Sequence, residues 1–81
     1  MAQIQEDQTL DARDLLCPMP VVKTSKAMKE LGPGQVLKIV ATDRGAITDL
    51  PAWAETTGNE VLTWHEKDGE LVFLIRKGGE E

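Results

Sequence analysis

Two prolines one residue apart, Pro18 and Pro20, sit at the head of a helical pattern and constrain where that helix can begin. Proline suits a first helical turn, where its missing N–H has no intrahelical partner and its fixed φ is already helical. The spacing predicts Pro18 as the first helical residue and Cys17 as the N-cap. On a helical wheel for residues 18–31, Val21, Thr24, Met28 and Leu31 share one side with Ala27 beside them, a stripe suited to packing on a sheet. Lys23, Lys26 and Lys29 take the opposite flank, with the apolar Met19 and Val22 among them. Such a flank suits either a solvated face or a partner-docking patch.

Cys17 is the only cysteine in the chain. At an N-cap it would face the positive end of the helix dipole and the amides of the first turn, with Met19 supplying one of the few N–H groups the prolines leave. That arrangement predicts a stabilised thiolate, open to solvent. Lowering a thiol pKa from ~8.5 to ~6.5 raises the thiolate fraction at pH 7 from ~3% to ~75%. The accompanying loss of basicity costs roughly 8-fold in nucleophilicity, so the net gain is about threefold. Specificity must therefore come from docking.

Around this element the chain alternates. Thr9–Ala12 reads as a short strand, and Arg13–Leu16 as a loop in which Leu15 and Leu16 anchor in the core. Leu31-Gly32-Pro33-Gly34 stops the first helix, with Gly at the C-cap and Pro beyond it. Gln35–Ala41 is an apolar, β-branched run that fits a central strand. Strand, helix and strand together predict a right-handed βαβ unit, with the carboxyl ends of its strands along one edge. After the turn Thr42-Asp43-Arg44-Gly45, the residues Ile47, Leu50, Trp53 and Ala54 recur at helical spacing until Gly58. Pro51 fits if regular turns begin near Thr48. Glu60–Glu66 and Glu70–Arg76 are strand runs joined through Lys67-Asp68-Gly69, a tight-hairpin signal. Trp53 is read as core, and His65 as a strand residue that nothing places near Cys17.

Eighty-one residues with 41% hydrophobic content make one small domain, residues 1–81, with residues 1–7 and 78–81 read as flexible tails. One cysteine excludes an internal disulfide and any Cys-x-x-Cys site, and suits a reducing compartment. Asp43 and Asp49 read as turn and capping residues, with no metal and no cofactor expected. A net charge of −5 argues against direct nucleic-acid binding. No apolar run near membrane-spanning length and no basic-apolar leader is present, so the chain is expected to be soluble and cytoplasmic, without membrane insertion.

Four ordered motifs, Leu10-Asp11-Ala12-Arg13, Cys17-Pro18-Met19-Pro20, Asp49-Leu50-Pro51-Ala52-Trp53 and Ile75-Arg76-Lys77-Gly78, resemble the TusA/SirA-like sulfur-carrier family over about residues 9–78. With the element order above, the resemblance implies an α/β two-layer sandwich, βαβαββ, with two helices on one face of a four-stranded mixed sheet. It implies a sulfurtransferase whose Cys17 receives sulfane sulfur as a persulfide, from a protein persulfide or thiosulfate, and passes it to an acceptor protein. Pro18, Met19 and Pro20 would support the active-site loop and helix start. Arg13, Lys23, Lys26 and Arg44 are candidates for binding an anion or a partner, on their sign alone. The implied partners are a cysteine desulfurase, another sulfurtransferase or a thiosulfate transporter, the last because Pro51-Ala52-Trp53-Ala54 resembles a thiosulfate-uptake-associated, YeeD-like subgroup. Where many members have Gly and Arg, this chain has Asp14 and Leu16, which removes a cation and adds a carboxylate near the thiol. The alternative is a non-enzymatic adaptor that docks through the Met19/Val22/lysine face, with Cys17 only redox-sensitive.

Overall fold

The computed structural model describes residues 5–78. Its elements run β1 (Gln8–Ala12), α1 (Met19–Met28), β2 (Val36–Ala41), α2 (Ala46–Thr57), β3 (Glu60–Lys67) and β4 (Glu70–Arg76). They form one four-stranded sheet in the order β1-β2-β4-β3. β1 pairs with β2 in parallel, whereas β4 is antiparallel to both β2 and β3. The sheet is therefore mixed, as the βαβ unit followed by a hairpin requires.

Strand register sorts the side chains onto two faces. Leu37, Ile39 and Ala41 of β2 lie opposite Ile75, Phe73 and Leu71 of β4. All six are fully or almost fully buried, in one cluster with Ala27 and Met28 of α1 and Ala46, Leu50 and Ala54 of α2. Both helices thus cover one face. The alternate residues Lys38, Val40, Val72 and Leu74 line an open groove of about 540 Å³ on the other face, together with His65. His65 lies on the uncovered side of the sheet, among strand residues.

The stripe predicted for α1 is the buried one, with Thr24, Ala27, Met28 and Leu31 inside and Val21 packed against them. Thr24 is fully buried, and its hydroxyl donates to the Pro20 carbonyl at 2.7 Å, which removes the cost of burying an unpaired polar group. The end of this helix differs from expectation. Regular turns stop at Met28, and the Glu30 and Leu31 amides bond back three residues in a tighter turn. The left-handed residue is Gly34, at φ 87°, and Gly32 instead donates its amide to the Gln35 side chain. The Leu31 carbonyl accepts from Lys77 Nζ at 2.6 Å, so the last strand's exit satisfies a helix-end acceptor.

α2 begins at Ala46, earlier than expected, because the Asp43 and Arg44 carbonyls capture the Ala46 and Ile47 amides. Pro51 consequently lies inside the helix, beyond its first turn. Gly58, at φ 79°, closes the helix, with the Asn59 amide bonded to the Ala54 carbonyl and the Gly58 amide to that of Glu55. This is a Schellman ending, for which a left-handed residue is required. Asp68 and Gly69 both have positive φ, 53° and 83°, as a two-residue type I′ hairpin demands.

Two residues that the sequence places in tails, Asp7 and Gly78, are hydrogen-bonded to the fold. Asp7 exchanges bonds with Val36, its amide donating to the Val36 carbonyl and its carboxylate accepting the Val36 amide. Gly78 donates to Asn59 Oδ1 at 3.0 Å, and a Cβ on it would fall 1.9 Å from the Gly58 carbonyl oxygen. The remainder of the two predicted tails, residues 1–4 and 79–81, lies outside the described residues.

Candidate functional site

The register of the parallel pair brings the candidate site together. Ala12 lies opposite Ala41, so β1 and β2 release their following loops at one sheet edge. Two bonds stitch these loops. The Asp14 amide donates to Thr42 Oγ1 at 2.8 Å, and the Cys17 amide donates to Asp43 Oδ2 at 2.8 Å. Asp14 holds this loop at φ 64°, a left-handed conformation that Gly adopts freely and Asp tolerates.

Cys17 is exposed and makes no disulfide. It is not the N-cap. α1 starts at Met19, with Pro18 in the capping position and no side chain capping the helix. The Met19 amide donates back to the Leu16 carbonyl at 2.8 Å, and the Val21 and Val22 amides both donate to the Pro18 carbonyl at 3.1 Å. The loop and Pro18 therefore take up the donors that were expected to face the sulfur.

The sulfur faces a carboxylate instead. Cys17 Sγ donates to Asp49 Oδ2 at 2.9 Å. Asp49 belongs to the opening turn of α2, where the helix dipole favours an anion. The hydrogen bond to Asp49 pushes the thiol pKa above its ordinary value, and partial desolvation and the charges of Asp49 and Asp43 push the same way. This corrects the stabilised thiolate expected from the sequence: the surroundings of the sulfur raise its pKa rather than lower it. The carboxylates responsible are Asp49 and Asp43, whereas the sequence pointed to Asp14.

Asp43 also accepts the Gly45 amide through Oδ1 at 3.3 Å, and a Cβ on Gly45 would lie 3.3 Å from Asp43 Oδ2 and 3.7 Å from Asp49 Oδ2. Asp43 has the turn role the sequence assigned it, with the thiol loop as a second partner. Asp49 is the site residue that sequence reasoning missed. One signal was available: an acidic residue in the first turn after β2 lies at the same edge as the loop after β1. Among the described residues, no group of three or more His, Cys, Asp or Glu side chains could hold a metal ion.

The candidate cations separate into two kinds. Arg13 grips Asp11 through Nε at 2.9 Å and reaches Glu70 at 3.4 Å, and Arg44 pairs with Glu66 at 3.1 Å. Lys23 and Lys26 lie exposed on α1. Exposed apolar side chains on the Cys17 loop and α1 are Leu16 at 73%, Met19 at 41% and Val22 at 38%. Leu15 packs against the core as expected, but Leu16 points outward, which corrects its predicted anchoring role.

The Arg13–Asp11 pair carries a pH signature. The guanidinium beside Asp11 lowers its carboxyl pKa to about 2. A carboxyl depressed in the folded state contributes stability above its unfolded pKa of ~3.9, and that contribution is lost as pH falls through the folded value. Carbon-detected NMR titration is expected to give Asp11 a midpoint near 2, returning toward ~3.9 in Arg13→Gln. An ordinary midpoint in the unmodified protein would show that the pair does not persist in solution.

Residues 8–77 match the family model described as Sulfurtransferase TusA. The sulfur carrier protein TusA of Allochromatium vinosum is 44% identical over 71 residues, covering 88% of this chain and 93% of that protein. YrkF of Bacillus subtilis is 56% identical over 72 residues, and the match spans 88% of this chain but only 38% of YrkF. A crystal structure of a SirA-like protein from Desulfitobacterium hafniense superposes with a TM-score of 0.78 at 33% identity, covering 88% of this chain and 97% of that one.

Proposed function

We propose, since this chain belongs to the TusA sulfurtransferase family of sulfur carriers, that Cys17 is the atom on which the sulfur travels. The single observation that supports this most is the placement of an exposed thiol, free of any disulfide, between two loops at the carboxyl edge of the sheet, with Leu16, Met19 and Val22 exposed on the same loop and the helix it enters. Cys17 Sγ attacks the outer sulfur of a donor protein's persulfide. A new S–S bond forms at Cys17, the donor's S–S bond breaks, and its electron pair leaves with the donor thiolate. That thiolate takes up the proton that Cys17 gives up, so the products are the Cys17 persulfide and the donor thiol. With no second cysteine in the chain, resolution is intermolecular: an acceptor thiolate attacks the outer sulfur and Cys17 returns as leaving group.

Incubation with a persulfidated donor protein, followed by intact-mass measurement and peptide mapping, is expected to add about 32 Da at Cys17. Folded protein that gains no mass at this residue would defeat the reading.

The exposed apolar side chains supply docking for that donor. Met19 and Val22 are exposed on the helix that follows Cys17, with the exposed Lys23 and Lys26 on the same helix as a charged rim, the usual anatomy of a transient interface. Val22→Asp is expected to slow loading from a protein donor by about tenfold, equal to ~1.4 kcal/mol, while loading from a small alkyl persulfide changes less than about twofold. Equal losses with both donors would mean that Val22 supports the loop rather than a partner. The adaptor alternative predicts binding that survives Cys17→Ser and is lost in Val22→Asp, and the same pair of variants separates it from sulfur transfer.

A further inference from the structure

Two carboxylates converge on Cys17. Asp49 Oδ2 accepts the thiol hydrogen and Asp43 Oδ2 accepts the backbone amide of the same residue, at 2.9 and 2.8 Å. Both oxygens lie beside Gly45, the one residue of that turn without a side chain to separate them. The ionisable groups at this end of the molecule come from each element that builds it: Asp14 from the β1–α1 loop, Asp43 and Arg44 from the β2–α2 loop, and Asp49 from α2. The start of α1 contributes Pro18, Met19 and Pro20, none of which ionises. Arg44 is held by Glu66 and Arg13 by Asp11 and Glu70, so neither is paired with Asp43 or Asp49. The local field at the sulfur is negative.

We propose, resting on the carrier reading of Cys17, that Asp49 is a specificity-determining residue that keeps the thiol proton in place at rest and turns away free anionic sulfur compounds in favour of protein-borne persulfides. The physical reason is in two parts. In the structure the thiol is the donor and the Asp49 carboxylate, in the opening turn of α2, is the acceptor. An approaching anion must then come close to that fixed charge and to Asp43, and a dianion is repelled twice as strongly as a monoanion. A protein donor avoids this penalty by presenting its sulfane sulfur from a neutral or cationic surface seated on Leu16, Met19 and Val22. The raised thiol pKa agrees with the same geometry.

Alkylation rates separate protonation from charge selection. Iodoacetamide is neutral and iodoacetate is an anion of similar size, and both consume the same thiolate. The ratio of their rates therefore cancels the thiolate fraction and reports the local charge. For the full chain and for Asp49→Asn, both rates would be measured from about pH 6 to about pH 10. The expected result in Asp49→Asn is a lower midpoint and an iodoacetate-to-iodoacetamide ratio higher by about threefold or more. Asp49→Glu, which keeps the charge, is expected to hold the ratio low.

The unsubstituted chain gives a second measurement that does not depend on a variant folding. Its ratio should rise with salt, as the screening length contracts from ~10 Å at 0.1 M to ~3 Å at 1 M. A folded Asp49→Asn protein whose ratio stays at the parent value overturns the proposal, whatever its midpoint. So does a parent ratio that salt leaves unchanged. Persulfide loading is scored apart from these rates: a shifted ratio with no sulfur ever carried on Cys17 would sink the carrier reading alone, and normal loading with an unshifted ratio would sink only the role of Asp49.

Discussion

Cys17→Ser is expected to abolish sulfur loading outright while leaving the fold intact. A serine hydroxyl ionises far above the range in which a thiol does, and no other sulfur nucleophile exists in the chain to replace it, since Cys17 is its only cysteine. The side chain is exposed and outside the buried cluster, so the substitution should change stability by no more than about 0.5 kcal/mol. Mass spectrometry after exposure to a persulfidated donor would read zero added sulfur, against about 32 Da in the parent protein. Equal incorporation in both proteins would assign the sulfur to some other site and remove Cys17 from the mechanism.

The raised thiol pKa adds a direction to that experiment. A group whose proton is held more tightly in the folded state favours folding at pH values below its unfolded pKa, and loses that preference as pH rises through the folded value. Loading of the parent protein by a neutral donor should accordingly speed up as pH rises above neutrality, because attack uses the thiolate.

The largest structural effect is expected at Phe73. It is fully buried on β4, between Ile39 across β2 and Trp64 across β3, with its ring centroid 5.7 Å from that of Trp64. Phe73→Ala removes the bulkiest fully buried side chain of the core, at an expected cost of about 3–5 kcal/mol. For a domain of this size each kcal/mol moves Tm by roughly 4–8 °C, so a fall of more than about 12 °C is expected. Trp64 is 39% exposed and could swing into the space, which argues for the lower part of the range. Urea unfolding followed by circular dichroism would measure it. A loss below about 1 kcal/mol would mean that the centre of the sheet repacks freely.

These two residues also divide what could be read in advance. For Phe73 only the strand was legible: residues 71–75 are apolar throughout, and it is the covered face of the sheet that buries every second one of them. The α1 stripe, the central strand and the hairpin were legible because periodicity and turn chemistry act over a few neighbouring residues. Asp68-Gly69 takes positive φ because a two-residue hairpin needs it.

The surroundings of Cys17 were not legible in this way. The loop between β1 and α1 uses its own carbonyls, those of Leu16 and Pro18, to satisfy the first amides of the helix, so the donors assigned to the sulfur were already taken. Leu16 turned out to be surface for a related reason: a residue in a short loop has no period to fix its direction, and here it stands at the rim of the site.

The sequence by itself determined the element order, the buried stripes and the presence of one exposed sulfur at a loop–helix junction, all consequences of local sterics and of apolar spacing. Only the tertiary structure decided what that sulfur faces. Asp49 is 32 residues away along the chain and reaches Sγ because β1 and β2 end side by side in parallel register. The Asp49 carboxylate accepts from the thiol at 2.9 Å, and that hydrogen bond raises the thiol pKa where the helix start alone was expected to lower it.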